Sequence, residues 1–406
     1  MKLLRKRSGL LLLCMLTALI SINLCSCQQK NKKAAADTKQ SADSQNLPAH
    51  DEDTQTNQND SPENGQNLSP EDSQNPLSDS NQPAENSPDT SPITLSFTGD
   101  VYLSEAMVNA YQQHGCAGIA DAAVRSALAD SDLTMINHEY ASTHETQKVD
   151  YQIYNFRSEP QHEFILKELG VDIAGLSNNH ILDYGVPGMQ ETIQTLRELG
   201  IDCAGAGSNI EEAKQAVIRE IKGRRIAFVA VSHFVPDVSW HADSTTPGLL
   251  TTYEGTDNYR VLMDYISWLK QSAHADLVII FAHYGVEKQN TFVPYQQQIS
   301  RAWIDAGADL VVGSHAHVLQ GMECYKGKYI FYNLGNFLFG NYEKETAVLQ
   351  VEIDQENQIA VKLLPCVTKA FYVRTMNGQE ADTLYRFLES VSVNVQVDTQ
   401  GRVSQN

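Results

Sequence analysis

The chain has 406 residues, enough for one large domain or two small ones, with a net charge of −20 and an ordinary hydrophobic content of 42%. So large a surplus of acids argues against a nucleic-acid binder, which needs a basic face, and against unassisted docking on anionic lipid.

Lys2, Arg5, Lys6 and Arg7 precede an apolar run over 10–22, too short for a transmembrane helix, and Leu24-Cys25-Ser26-Cys27 follows. This reads as a signal segment, 1–27, that ends in a lipobox. Cys27, with the small Ser26 before it, is the expected lipidation site, and acyl chains there would anchor the protein on the extracellular face of a bacterial cytoplasmic membrane. Residues 28–92 contain no Phe, Trp or Tyr and are rich in Gln, Asn, Ser, Asp, Glu and Pro, the composition of a disordered polar tether. Cys116, Cys203, Cys324 and Cys366 lack CxxC spacing, so neither a zinc knuckle nor a redox motif is expected, and Cys203 reads as a buried free thiol.

Residues 93–98 carry the β-branched and aromatic content of a strand, closed by Gly99-Asp100. Helices are expected over 104–113 and 119–130, then a strand over 133–136 that ends in Asn137-His138-Glu139. Extended chain over 151–156 leads to a helix over 160–169, stopped by Gly170, and to a short buried strand over 172–176 followed by Ser177-Asn178-Asn179-His180. The rhythm continues with a helix over 187–199, a strand over 201–204, a helix capped by Ser208-Asn209, and a hairpin turning at Lys222-Gly223-Arg224. A helix over 258–273, a strand over 276–282 ending at His283, a helix over 295–306 and a strand over 309–312 come next. That last strand runs into Gly313-Ser314-His315-Ala316-His317. Beyond it the pattern turns antiparallel, with hairpins over 322–333 and 347–364, a helix over 381–391 and a polar tail after Asp398 expected to be loose. Strand–helix alternation predicts an α/β sheet with helices on its faces, and the later hairpins predict a mixed or second sheet; a four-layer α/β sandwich satisfies both. The expected division is a domain over 93–376 and a C-terminal helix with tail over 377–406.

Ligands of such sheets bind at the carboxyl ends of strands, where each polar cluster falls. Asp100, Glu139, Asn179, His283, His315 and His317 combine carboxylate and amide oxygens with three imidazoles, a mixture that suits Mn, Fe, Zn or Ni better than calcium. Two such ions about 4 Å apart would activate water and clamp a phosphate ester. On extended chain His315 and His317 point the same way, to share one metal or serve two adjacent ones. His180, beside a ligand candidate, is the candidate acid for a leaving oxygen, with Asp183 to orient it. His114, His144, His162, His233, His241 and His274 read as structural or surface residues.

Seven motifs in order carry a family resemblance: Thr98-Gly99-Asp100, Asn137-His138-Glu139, the run from Ser177 through Asn179-His180 to Asp183-Tyr184-Gly185, Gly205-Ala206-Gly207-Ser208-Asn209, His283-Tyr284-Gly285-Val286-Glu287, Gly313-Ser314-His315-Ala316-His317 and Asn333-Leu334-Gly335-Asn336-Phe337. Over residues 93–373 the chain resembles the CapA-type capsule or poly-γ-glutamate synthesis proteins of the calcineurin-like metallophosphoesterase superfamily. The resemblance implies a metallophosphatase-like sandwich with mixed sheets and one or two divalent ions, Mn, Fe or Zn. Asp100 would match the first metal aspartate, Glu139 the bridging carboxylate, Asn179 and His180 the Asn-His pair of ligand and acid, and His283, His315 and His317 the other ligands. Asn137, Arg157, Glu287 and Asn336 are the candidate substrate contacts. Arg157, able to pair bidentately with phosphate or carboxylate, is expected to line one cleft with the metal ligands. The chain departs from the superfamily at Asp100-Val101-Tyr102, where tyrosine stands in place of histidine, so one metal is expected to lack a ligand.

Two readings of function stand side by side. One is a metal-dependent hydrolase of phosphate esters outside the cell. The other is a non-catalytic, membrane-tethered scaffold that binds or retains an anionic polymer, capsule or poly-γ-glutamate, with its membrane synthase and export proteins. A polymer-modifying amidase or transpeptidase lacks a Ser or Cys nucleophile with a base nearby.

Overall fold

The computed structural model describes residues 91–253 and 257–406; the expected signal segment, Cys27 and nearly all of the tether lie outside them. Strands Ile93–Val101, Leu133–His138, Ile173–Gly175 and Asp202–Ala204 run parallel as four neighbours in a ten-stranded sheet. Antiparallel Lys344–Ile353 and Ile359–Lys369 extend it on the other side of Ile93–Val101. A six-stranded sheet holds Arg224–Ser232, Leu277–Tyr284, Leu310–His315 and Lys328–Phe331 in parallel, with one antiparallel strand at each edge.

The burial pattern explains the layering. Leu277–Tyr284 and Leu310–His315 are buried throughout, as strands covered on both faces must be. Leu95, Phe97, Met135, Phe228, Ile279, Phe281 and Val312 fill the space between the sheets. The outer face of the larger sheet packs on helices Glu105–His114, Ala122–Ala129 and Gly185–Glu198 through Met107, Leu128 and Leu196. The outer face of the smaller sheet packs on Asp257–Gln271 and Pro294–Ala306 through Leu262, Ile266 and Trp303. Helix, sheet, sheet and helix make the expected four layers, and among the described residues the three cores begin at Ile93.

Local deviations from the sequence reading are informative. The chain over 151–156 is a loop, and pairing is confined to Arg157–Ser158. The expected helix over 160–169 splits into a 3-10 turn, Pro160–His162, and a short helix, Phe164–Glu168. The tail after Asp398 is not loose: Arg402–Gln405 pairs with both Ile359–Lys369 and Val395–Val397. A turn at Gly401, with φ of +78°, brings the strand back, and burial of Val395 and Val403 in the intersheet core offsets the polar composition that suggested a free end. Cys116, Cys203, Cys324 and Cys366 are free thiols; Cys203 is half-buried, and burial pushes its thiol up to about 12.

Candidate metal centre

The centre forms where parallel strands of both sheets end. Its floor depends on one close backbone crossing. The Asp100 amide donates to the Gly335 carbonyl at 3.0 Å, and a Cβ on Gly99 would lie 1.8 Å from that oxygen. Only glycine lets the Asn333–Asn336 segment lie against the first strand, which places Asn336 opposite Asp100. Gly99→Ala is therefore expected to cost about 1–3 kcal/mol through overpacking. A lowered melting temperature should accompany weaker metal uptake, and an unchanged melting curve would contradict this account of the floor.

Two sets of donor atoms converge, each with its atoms within 4.8 Å of one another: Asp100, Glu139 and His317, and Glu139, His283 and His315. Glu139 belongs to both. Its Oε1 lies 3.8 Å from His283 Nε2 and 3.9 Å from His317 Nε2. Asn179 Oδ1 sits 2.6 Å from His283 Nε2, which brings the expected amide ligand into the second set. Asn137 Nδ2 bonds Asp100 at 2.8 Å and Glu139 at 3.1 Å, bracing the two carboxylates from beneath.

The residues fit a cation on physical grounds. Glu139 Oε1 and His315 Nδ1 are buried and have no hydrogen-bond partner among the described residues. Such orphaned atoms cost roughly 1–3 kcal/mol each unless something meets them. Burial first, then the charge of Asp100, pushes Glu139 well above the usual carboxylate range. Burial, then the charges of His315 and His317, pushes His283 well below the usual imidazole range, and burial with His317 brings His315 down to about 3. Two neutral imidazoles beside a strained carboxylate are donors prepared for a metal. Against burial, the bond and charge of His317 hold Asp100 below its ordinary value, while Asp100 holds His317 above.

His315 and His317 do not lie on a simple extended strand. Their φ angles are +93° and +57°, so the backbone leaves the extended form at the strand end and sends one ring to each donor set. Of the two arrangements open at the sequence level, the structure shows service to two adjacent sets.

His180 stands beside them on a tightly held turn. Its Nδ1 meets Asp183 Oδ2 at 2.8 Å, as expected, and that carboxylate also accepts the Phe156 amide at 2.6 Å. Burial pushes Asp183 above its ordinary value, opposed by His180. Asn178, read only as part of a motif, fixes the turn: Oδ1 accepts the His180 and Ile181 amides at 3.0 Å, and Nδ2 donates to the His138 carbonyl at 2.8 Å.

The candidate substrate contacts fare differently. Asn336 Oδ1 is 2.7 Å from His317 Nδ1 and serves to orient that ring. Glu287 is exposed, and its charge bears on Glu139 and His317. Arg157 was expected in one cleft with the ligands, but its guanidinium is engaged by the Thr143 carbonyl at 2.8 Å and by Glu159 at 2.8 Å. Tyr102, in the place of the superfamily histidine, stacks on Phe156 at 4.7 Å and reaches the Arg157 carbonyl, so it completes a packing cluster and not a ligand set. His138 is fully buried and bonded to Glu163.

Sequence reasoning gave three phenylalanines no role at the centre. Phe156, Phe234 and Phe339 lie against His180, His315 and His317 at centroid distances of 4.1, 4.9 and 5.0 Å. The only signal available was position: Phe234 and Phe339 each follow a strand end, Arg224–Ser232 and Asn336–Leu338.

A four-layer sandwich with carboxylates and imidazoles converging at the strand ends defines a metallophosphoesterase-like architecture. The profile of the family described as bacterial capsule synthesis protein PGA_cap matches residues 94–341, well over half of the chain, and the chain belongs to that family. It is 31% identical over 283 residues to the capsule biosynthesis protein CapA of Bacillus anthracis, covering 67% of each chain. It is 32% identical over 250 residues to the PGA biosynthesis protein CapA of Bacillus subtilis, covering 61% of this chain and 63% of that one. The chain thus spans about two thirds of the length of these curated relatives.

Proposed function

We propose that this protein is an accessory of capsule or poly-γ-glutamate synthesis that hydrolyses a phosphate ester at the extracellular face of the cytoplasmic membrane, held there by a lipid on Cys27. The family and the names of its relatives support the polymer context. The observation that carries the hydrolase reading is the sharing of Glu139 between two donor sets, with an orphaned oxygen on that carboxylate.

Asp100, Glu139 and His317 would hold one ion, and Glu139, His283 and His315, with Asn179, a second. Bound there, divalent ions of the Mn, Fe or Zn type would polarise phosphate oxygens and lower the pKa of water. Asn137 keeps the two carboxylates in place. Asp183 engages His180 Nδ1, which leaves Nε2 to hand a proton to the leaving oxygen. Arg157 meets Thr143 and Glu159 through Nη1, and Nε and Nη2 are the donors it would offer a phosphate.

One observation favours the second reading, a scaffold for an anionic polymer and its membrane synthase. Tyr102 removes a ligand that the superfamily supplies, and its ring is committed to packing against Phe156.

The deciding experiment measures metal content and Mn²⁺-dependent hydrolysis of a soluble phosphodiester by residues 91–406, beside the His315→Ala/His317→Ala variant. Bound metal with turnover, both lost in the variant, is the expected result. A folded, metal-free and inactive wild type would sink the hydrolase and leave the scaffold. Separately, Cys27→Ser is expected to shift the full chain from the membrane fraction to the soluble fraction; retention in the membrane would remove the lipid anchor from the account.

A further inference from the structure

Ser314 lies near the end of Leu310–His315, directly before His315 and opposite His283 in the parallel register of the smaller sheet. It is fully buried. Its Oγ is 3.2 Å from His283 Nδ1 and 3.2 Å from the Ala282 carbonyl. The other ring nitrogen of His283, Nε2, is turned to the second donor set, 2.6 Å from Asn179 Oδ1 and 3.8 Å from Glu139 Oε1. A neutral imidazole offers a lone pair at one nitrogen and carries its hydrogen on the other, and the partner of the second nitrogen decides which is which. For Nε2 to face an ion, Nδ1 must carry the hydrogen and give it to an acceptor. Two groups stand within reach of Nδ1, Asn137 Nδ2 at 3.3 Å and Ser314 Oγ. The Asn137 nitrogen only donates, and its two hydrogens go to Asp100 and Glu139 at 2.8 and 3.1 Å. Asn178 Nδ2, 3.3 Å from Asn137 Oδ1, holds that amide in this orientation. Among the described residues the acceptor is therefore the serine hydroxyl, whose own hydrogen passes on to the Ala282 carbonyl.

A hydroxyl suits this position for a second reason. The contact of Nε2 with Asn179 Oδ1, an acceptor, needs the ring hydrogen on Nε2, and Ser314 then donates to Nδ1. With an ion at Nε2 the same neutral ring carries its one hydrogen on Nδ1, and Ser314 accepts it. A hydroxyl does both by rotating, whereas a carbonyl or an amide nitrogen fits only one of the two. His317 needs no such partner. Its Nδ1 faces two accepting oxygens, Asn336 Oδ1 at 2.7 Å and Asp100 Oδ2 at 3.1 Å, which leave Nε2 toward Glu139.

We propose that Ser314 is the positioning residue of the second donor set: it takes the Nδ1 hydrogen of His283 and so presents Nε2 to a divalent cation beside Glu139 and His315. This rests on the reading of the centre as a metal site, and it goes further in naming the atom of His283 that binds and the group that turns it there. Ser314 thereby serves the set twice, because the residue that follows it, His315, supplies another of its donors.

The test titrates the full chain and its Ser314→Ala variant with Zn²⁺ against a competing chromophoric chelator. Imidazole nitrogen NMR spectra of both proteins, with isotope-labelled histidine, give a second readout, the His283 signal being identified by its loss in His283→Gln. Ser314→Ala, with wild-type circular dichroism, should hold Zn²⁺ about 10–100-fold more weakly, the usual cost of removing the group behind a metal-bound histidine. The Zn²⁺-loaded wild type should show His283 with its hydrogen on Nδ1, protected from exchange, and the variant should lose that protection. A purely structural role for the serine would leave that signal in place. Equal affinity in the two proteins, or a loaded wild type with the His283 hydrogen on Nε2, overturns the role of Ser314 and leaves the metal centre standing. If the variant does not fold, the wild-type spectrum decides alone. A folded wild type that takes up no Zn²⁺ overturns the role of Ser314 together with the metal reading.

Discussion

Replacing Glu139 by glutamine is expected to raise the stability of the metal-free protein and to abolish its stabilisation by metal. Glu139 is fully buried, its Oε1 has no partner among the described residues, and the Asp100 carboxylate is its neighbour through Asn137. Without an ion the charge is a liability, because burial and the neighbouring Asp100 both oppose it, and removing it relieves that cost. With an ion it is the shared ligand, and a metal present at a hundred times its dissociation constant stabilises the native state by ~2.7 kcal/mol. The variant should therefore melt higher than wild type in chelator and show no upward shift when Mn²⁺ or Zn²⁺ is added.

The pH dependence of that difference carries a definite sign. Glu139 is raised in the folded state, so the native protein holds a proton that the unfolded chain has released. Wild-type stability is then lost as pH rises from the ordinary carboxylate value toward the raised one. The gap between variant and wild type should vanish in strong acid and widen as pH increases through that window. Asp100, His283, His315 and His317 are present in both proteins, so the difference between the melts reports the removal of Glu139 together with its coupling to Asp100. Thermal melts in chelator across pH would show this directly. A variant less stable than wild type in chelator would mean that Glu139 is satisfied by something other than a metal.

The second large effect is expected at His180. His180→Gln should lower kcat for a soluble phosphodiester by about 10²–10⁴-fold, the span for loss of a general acid. Metal content should be unchanged, because the ring is committed through Nδ1 to Asp183 and belongs to neither donor set. Pairing activity with metal analysis separates this role from a structural one. Loss of metal together with activity would make His180 a ligand, and unaltered turnover would end its assignment as acid. Asp183→Asn should act less cleanly, because Asp183 also anchors the Phe156 amide and thus the loop over the mouth.

The elements of the fold were legible because their signals are local. Continuous apolar runs, as over 277–284, and helix stops such as Gly170 and Gly200 are written in neighbouring residues, so type and order survive almost unaltered. Boundaries moved by a few residues where the last turn depends on packing, as in the divided helix after Pro160. The C-terminal strands were missed because Val395 and Val403 alternate with polar residues over too few positions to signal a strand, until pairing to Ile359–Lys369 buries them.

By itself the sequence determined the class of site: carboxylates, an amide and imidazoles at the ends of strands, and the family to which the motifs point. Tertiary structure decided which donors converge. Asn137 meets His283 across 146 residues and Asp100 meets His317 across 217, separations over which no local periodicity carries information. It also decided that Arg157 is held by Glu159, that Asn336 steadies His317, and that a phenylalanine backs each of three histidines at the mouth. The reason is physical. Backbone conformation responds to adjacent side chains, whereas a buried carboxylate takes its partners from the register of two sheets and from one crossing, at Gly99 and Gly335, that leaves no room for a Cβ.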